Sequence, residues 1–127
     1  FVSGLDAGKI YQTWPMMDKN YFPDDIFIKS LKTLLDFENH SLVQFYHRNT
    51  AYLLILYVLF LTLFIYKRRL VNLYKSLNIL LFFLISQVIL GIYTLVSGLN
   101  IYLASIHQIT GVLLVFSALN LYFLRAK

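Results

Sequence analysis

Residues 76–124 read SLNILLFFLISQVILGIYTLVSGLNIYLASIHQITGVLLVFSALNLYFL, with no Asp, Glu, Lys or Arg anywhere in the run. As one helix this stretch would be roughly 70 Å long, more than twice the thickness of a bilayer's hydrocarbon core. It has to turn back, and Ser97-Gly98-Leu99-Asn100 is the one good place for a turn. Two spans follow, over about 73–96 and 102–124. Toward the N-terminus, Lys67-Arg68-Arg69 closes an earlier apolar run in which Asn49 to Tyr66 carry no charge. A first span over about 44–66 would reach roughly 34 Å, enough to cross.

Composition agrees with this reading. The chain is 59% hydrophobic and only 13% charged, with a mean hydropathy of +0.68, so a soluble domain of this length would lack a charged surface. The bilayer is its solvent. The net charge of +5 does not describe a nucleic-acid binder. All the acids (Asp6, Asp18, Asp24, Asp25, Asp36 and Glu38) precede Gln44, and the later basic residues flank apolar runs instead of covering a polar face. Cysteine is absent, which excludes disulfides, zinc–thiolate sites and iron–sulfur ligation from these residues. The chain opens on Phe1 with no charged region ahead of an apolar one, so no signal peptide is recognised and a segment of a longer protein is expected.

Residues 1–43 are polar and punctuated by Gly4, Gly8, Pro15 and Pro23, and read as an extracytoplasmic loop segment. Within them Ile26, Phe27, Leu31, Leu34 and Leu35 fit one face of a short interfacial helix that begins after Asp24-Asp25. Orientation follows from the basic residues. Lys67, Arg68, Arg69 and Lys75 lie between the first two spans, and Arg125 and Lys127 follow the third, so both clusters face the cytoplasm or matrix. The expected fold is thus an all-α membrane protein, with the transmembrane helices in 44–127.

Two histidines stand out. His47 lies about one turn inside the first span and His107 about a turn and a half inside the third, and both spans run from outside to inside. Their imidazoles therefore share a depth, where an ionisable side chain is a functional candidate. Two neutral imidazoles on neighbouring helices can fill both axial positions of a haem iron, whereas zinc would need further ligands that these spans do not supply at that depth. Ala51 and Gly111, each four residues beyond a histidine, leave space on the same helical face one turn deeper. Arg48 can pair with a haem propionate, and Gln44, three residues before His47, can orient that ligand. Plainer readings stay open at this point. A lone interfacial histidine can simply bond a headgroup or a carbonyl, Arg48 can be an interfacial anchor, and Ala51, Gly91 and Gly111 can serve helix packing. His40, between Asn39 and Ser41, reads as a solvated loop residue.

Several stretches, taken together, resemble the haem A synthase family. They are Phe1-Val2-Ser3-Gly4-Leu5-Asp6-Ala7-Gly8, then Tyr11-Gln12-Thr13-Trp14-Pro15, then Phe37-Glu38-Asn39 with Val43-Gln44-Phe45-Tyr46-His47-Arg48. Gln87-Val88-Ile89-Leu90-Gly91-Ile92-Tyr93-Thr94-Leu95, followed by His107-Gln108, completes the series. The motifs stand in family order and cover nearly the whole chain. The family carries Asp where this sequence has Tyr46 and Pro where it has His40, so the acceptor that such an Asp would place beside the ligand is missing.

The resemblance implies eight spans in two pseudo-symmetric four-helix halves, of which this chain matches the C-terminal one. It implies oxidation of a methyl group of haem O to the formyl group of haem A, for cytochrome oxidase, in a bacterial inner or mitochondrial inner membrane. By the same resemblance His47 and His107 become axial ligands of a bound haem b. The other half of the family carries a catalytic glutamate at the position matching Gln44, which can act as neither acid nor base, so no catalytic residue is assigned here. The N-terminal half of the same protein is an implied partner, and haem O synthase or a second copy is a further one. A non-catalytic bis-histidine cytochrome b module, passing electrons from a quinol or protein donor, is the main alternative. A plain structural membrane subunit is a third.

Overall fold

The computed structural model describes residues 7–27 and 31–126. Regular structure among them is helical. A 3₁₀ turn at Ala7–Lys9 precedes the short α1 (Leu31–Leu34), and three long helices follow: α2 (His40–Lys67), α3 (Tyr74–Val96) and α4 (Ile101–Ala126). Each of the long three has the length and apolarity to cross a membrane. In hydrocarbon no water can satisfy the backbone, which is why these apolar runs are continuous helices. Several of their hydroxyl side chains are spent within the helix as well. Thr62 donates to the Val58 carbonyl at 2.8 Å, Ser86 to Phe82 at 2.9 Å and Thr94 to Leu90 at 2.7 Å.

The helix ends follow from local chemistry. Asn39 caps α2, its side-chain oxygen accepting from the Leu42 amide at 3.1 Å. The 97–100 turn closes α3 with Leu99 N–H donating to the Thr94 carbonyl at 2.9 Å, and Gly98 takes φ +72°, a conformation natural to glycine. Asn100 then caps α4 by accepting from the Tyr102 amide at 3.0 Å. As helices, α3 and α4 begin and end within two residues of the second and third apolar runs.

The first span begins earlier than expected. α2 starts at His40, so the residue read as a loop histidine is the exposed first residue of a helix. Its opening turn is buried by protein and not by lipid: Ser41, Leu42, Val43 and Gln44 all lie under the N-terminal segment. That segment is irregular. Of the short helix expected from Ile26 onward, the described residues show Leu31–Leu34 as helix, while a turn from Pro23 folds Ile26 into the interior and Phe27 points outward. Residues 28–30 of that expectation, and Phe1–Asp6 of the first motif, lie outside the described residues.

α3 and α4 pack as an antiparallel pair along much of their length, and α2 leans on α3 more sparingly. The apolar core sits toward the basic ends of the helices, where Val58 and Ile65 of α2, Leu77, Leu80 and Leu84 of α3, and Leu121 of α4 meet. Ser76 donates to Asn120 across the α3–α4 seam at 2.9 Å. The outward faces are apolar, as Leu63 at 70% and Phe82 at 64% exposed illustrate, and they suit lipid or further helices. Leu77→Ala should therefore destabilise the fold by about 2–5 kcal/mol, since it opens a cavity at a fully buried position. Leu63→Ala should be near neutral; unfolding in mixed micelles measures both.

Candidate functional site

The N-terminal turns of α2 are clamped by the loop. Tyr11 is the hub. Its amide donates to the Gln44 side-chain oxygen at 3.3 Å, and its carbonyl accepts from Gln44 Nε2 at 2.7 Å and from Arg48 Nη2 at 3.1 Å. Arg48 Nη1 donates to the Met16 carbonyl at 3.1 Å. Gln44 is thus expended on the backbone of Tyr11, and orienting His47 is not the work it does in this structure. A buried amide needs both its ends satisfied, and the loop supplies both. Arg48 holds the loop with two nitrogens, while its Nε is buried with no hydrogen-bond partner among the described residues.

A carboxylate completes the clamp. Asp25 accepts from the Tyr11 hydroxyl at 2.7 Å with one oxygen and from Ser41 Oγ at 2.7 Å with the other. Tyr21 donates to Asn49, and Tyr46 donates to the Leu34 carbonyl. Tyr46 is therefore turned toward the loop, against Phe37 and Phe45.

His47 follows directly in α2, with its side chain exposed on the surface of the three helices. No hydrogen-bond partner for its ring is found among the described residues, and it lies within electrostatic range of the His107 imidazole. Ala51, one turn deeper, is half-buried.

His107 is held by the α3–α4 seam. A Cβ on Gly91 of α3 would come within 3.0 Å of His107 Cε1, so the ring rests directly on that glycine. The converse holds one step along. A Cβ on Gly111 of α4 would come within 3.2 Å of Gln87 Nε2, so the Gln87 amide occupies the space beside Gly111 that the sequence left open. Thr110 donates to Gln87 Oε1 at 2.7 Å, which turns the Gln87 amide nitrogen toward His107 Nε2, 3.4 Å away. His107 Nδ1 is buried and has no partner among the described residues. Two imidazoles thus approach one another with ring nitrogens not fully engaged by protein. No cluster of three or more His, Cys, Asp or Glu able to hold a metal ion is found among the described residues.

Comparison with known proteins decides the family. The profile of the cytochrome oxidase assembly protein family matches residues 1–119. The chain belongs to the haem A synthase family. It is 41% identical over 120 residues to the haem A synthase of Pelagibacter ubique, covering 92% of this chain and 34% of that protein. Against the haem A synthase of Wolbachia pipientis wMel it is 40% identical over 124 residues, 98% of this chain and 33% of the relative. A haem A synthase of Bartonella tribocorum is 40% identical over 108 residues, 84% and 30% respectively. The chain spans about a third of the length of the curated relatives it matches. No solved structure matches.

Three features of this region carry no separate assignment in the sequence reading: the Gln87–Thr110 pair, the contact of Gly91 with the His107 ring, and the Asp25 carboxylate between Tyr11 and Ser41. The first two had a partial signal. Gln87 is an amide in the middle of the charge-free run 76–124, and both Gln87–Gly91 and His107–Gly111 are spaced by four residues.

The clamp is pH-sensitive. Burial works to raise the Asp25 carboxyl, but the hydrogen bonds from Ser41 and Tyr11 outweigh it and hold the group below its ordinary 3.8. Its contribution to docking is therefore present above that value and is lost as pH falls through the lowered one. Burial, then the bond to Asp25, pushes the Tyr11 phenol above 10.0, so its contribution is present below that value and lost as pH rises through the raised one. Trp14, the one tryptophan, sits in the loop and reports the change by its emission. Acidification below the carboxylate range should shift that emission in the wild type and leave it flatter in Asp25→Asn. An identical acid response in the variant would contradict the clamp.

Proposed function

We propose that this chain is the haem-b-holding, C-terminal part of a haem A synthase, with His47 and His107 as the two axial ligands of one iron. The observation that carries the reading is the pairing of these imidazoles. They come from helices that run in the same direction and lie within electrostatic range, and His107 Nδ1 is buried with no hydrogen-bond partner among the described residues. A macrocycle supplies four in-plane nitrogens, so two histidines complete its iron, whereas a tetrahedral zinc would require more ligands. The donor set therefore fits haem. A haem held by two histidines supplies one-electron transfer and leaves no open position for oxygen.

The chain's own residues then divide the work. Gly91 lets the His107 ring lie close to α3, and Gln87, fixed by Thr110, limits its rotation. Ala51 and Gly111 keep the helix faces beside the ligands small. Arg48 has an unspent buried Nε–H suited to a carboxylate such as a propionate. Gln44 ties the loop over this end and excludes water. None of these groups is placed as an acid or base, so oxidation of the haem O methyl group falls to the N-terminal half of the same protein. In this reading the loop faces away from the cytoplasm or matrix, and Arg68 and Arg125 face toward it. Haem O synthase or a second copy would complete the assembly.

One observation favours the reading of this half as an electron-transfer module in its own right: Gln44 stands beside the ligand where the catalytic half is expected to carry a carboxylate. The two readings part on the product. The full-length protein, incubated with haem O, should yield haem A by mass if it is the synthase, and unchanged haem O if it is only a carrier. For the ligands, the purified protein should show a low-spin bis-histidine optical spectrum. That spectrum should be lost in His47→Ala and in His107→Ala, and a spectrum unchanged in either variant rejects that ligand.

A further inference from the structure

A second feature lies at the opposite end of the helices and does not depend on the haem reading. A cavity of about 290 Å³ runs between α2, α3 and α4, walled by leucine, valine, isoleucine and aromatic side chains, with Arg125 as its one charged lining residue. Along α2 it extends from Leu54 to Ile65, about 16 Å at 1.5 Å per residue. That depth is close to the roughly 15 Å of one leaflet of a bilayer's hydrocarbon core. The slot therefore has the direction and depth of a single acyl chain in the leaflet that meets the basic ends of the helices.

Its mouth is positive. The guanidinium of Arg68 lies 5.7 Å from the centre of the Phe64 ring, and that of Arg125 lies 6.0 Å from the same centre. Each guanidinium gains a cation–π attraction to that ring, which gathers two positive charges around one side chain of the slot's wall. Between Glu38 and Arg125 the sequence holds no acidic side chain. An anion brought to this mouth would meet Arg125, which lines the slot, with Arg68 held nearby by Phe64, and a phosphate diester tethered to an acyl chain would reach the apolar slot beneath. Basic pockets between transmembrane helices are suited to such headgroups.

We infer that the α2–α3–α4 slot binds one anionic phospholipid, with an acyl chain in the cavity and its phosphate between Arg68 and Arg125. Ala118 of α4 lines the slot, and a larger side chain there would occupy the chain's place. Native mass spectrometry of the purified full-length protein, offered phosphatidylglycerol or phosphatidylcholine of the same chains, tests this directly. Two basic side chains at a membrane surface should favour the anionic lipid by about 30-fold. The double variant Arg68→Gln/Arg125→Gln should reduce phosphatidylglycerol to the level of phosphatidylcholine. Ala118→Phe should lose both lipids, with Ala118→Leu in reserve if that variant fails to fold, as judged by helical circular dichroism. Equal retention of the two lipids by the wild type would overturn the inference. So would full phosphatidylglycerol binding by the filled-slot variant, or displacement by millimolar inorganic phosphate, which would mark a site for the free anion.

Discussion

Where the C-terminal half of α3 crosses the N-terminal half of α4, each helix presents a glycine and each lays a polar side chain onto the glycine opposite. His107 rests on Gly91, and Gln87 rests on Gly111. Most of the architecture hangs on this exchange. Within a membrane there is no hydrophobic gain from bringing two apolar helices together, so close approach of backbones and polar contacts decide how they pair. The glycines permit the approach, the Thr110–Gln87 hydrogen bond fixes the rotation, and the pairing carries down to Ser76 and Asn120 at the far end. A consequence is that His107 has little freedom of position. The ring is set by packing, as a ligand's ring must be if a cofactor is to find it preorganised.

α2 is positioned by a different device. It shares less surface with its neighbours, and its N-terminal turns are held by a polar loop that converges on Tyr11 and Asp25. These interactions also determine what remains available around His47. Gln44 and two nitrogens of Arg48 are spent on loop carbonyls, so the clamp leaves the His47 ring and Arg48 Nε as the uncommitted groups on that side. The same economy holds at Tyr46, whose phenol reaches away to the Leu34 carbonyl.

The spans were legible in the sequence because hydrocarbon imposes a severe rule: no charge for twenty residues, then a turn. Residues 76–124 obey it, and Asn100 and Gly98 mark the break with familiar cap chemistry. The start of α2 was not legible in that way, since Ser41–Gln44 are buried under protein, and a hydropathy pattern cannot tell burial by a loop from exposure to water. The start of the short helix after Asp25 failed for a related reason, with Ile26 drawn into the interior by the Pro23 turn. Gly111 was visible as a small residue facing inward, but what fills the space beside it depends on the rotation of α3, which no local pattern encodes. Gly91 and Gln87 carried their signal only in combination with α4.

The chain spans about a third of its relatives' length, and the broad apolar faces of α2 and α4 suit the helices or lipid that would complete the assembly. The account's central claim concerns what the two imidazoles share. Pulsed electron paramagnetic resonance on the oxidised full-length protein, grown with ¹⁵N-labelled histidine, tests it most directly. The account predicts a low-spin iron coupled to two equivalent histidine nitrogens. Coupling to a single histidine nitrogen, or a high-spin iron, would contradict it.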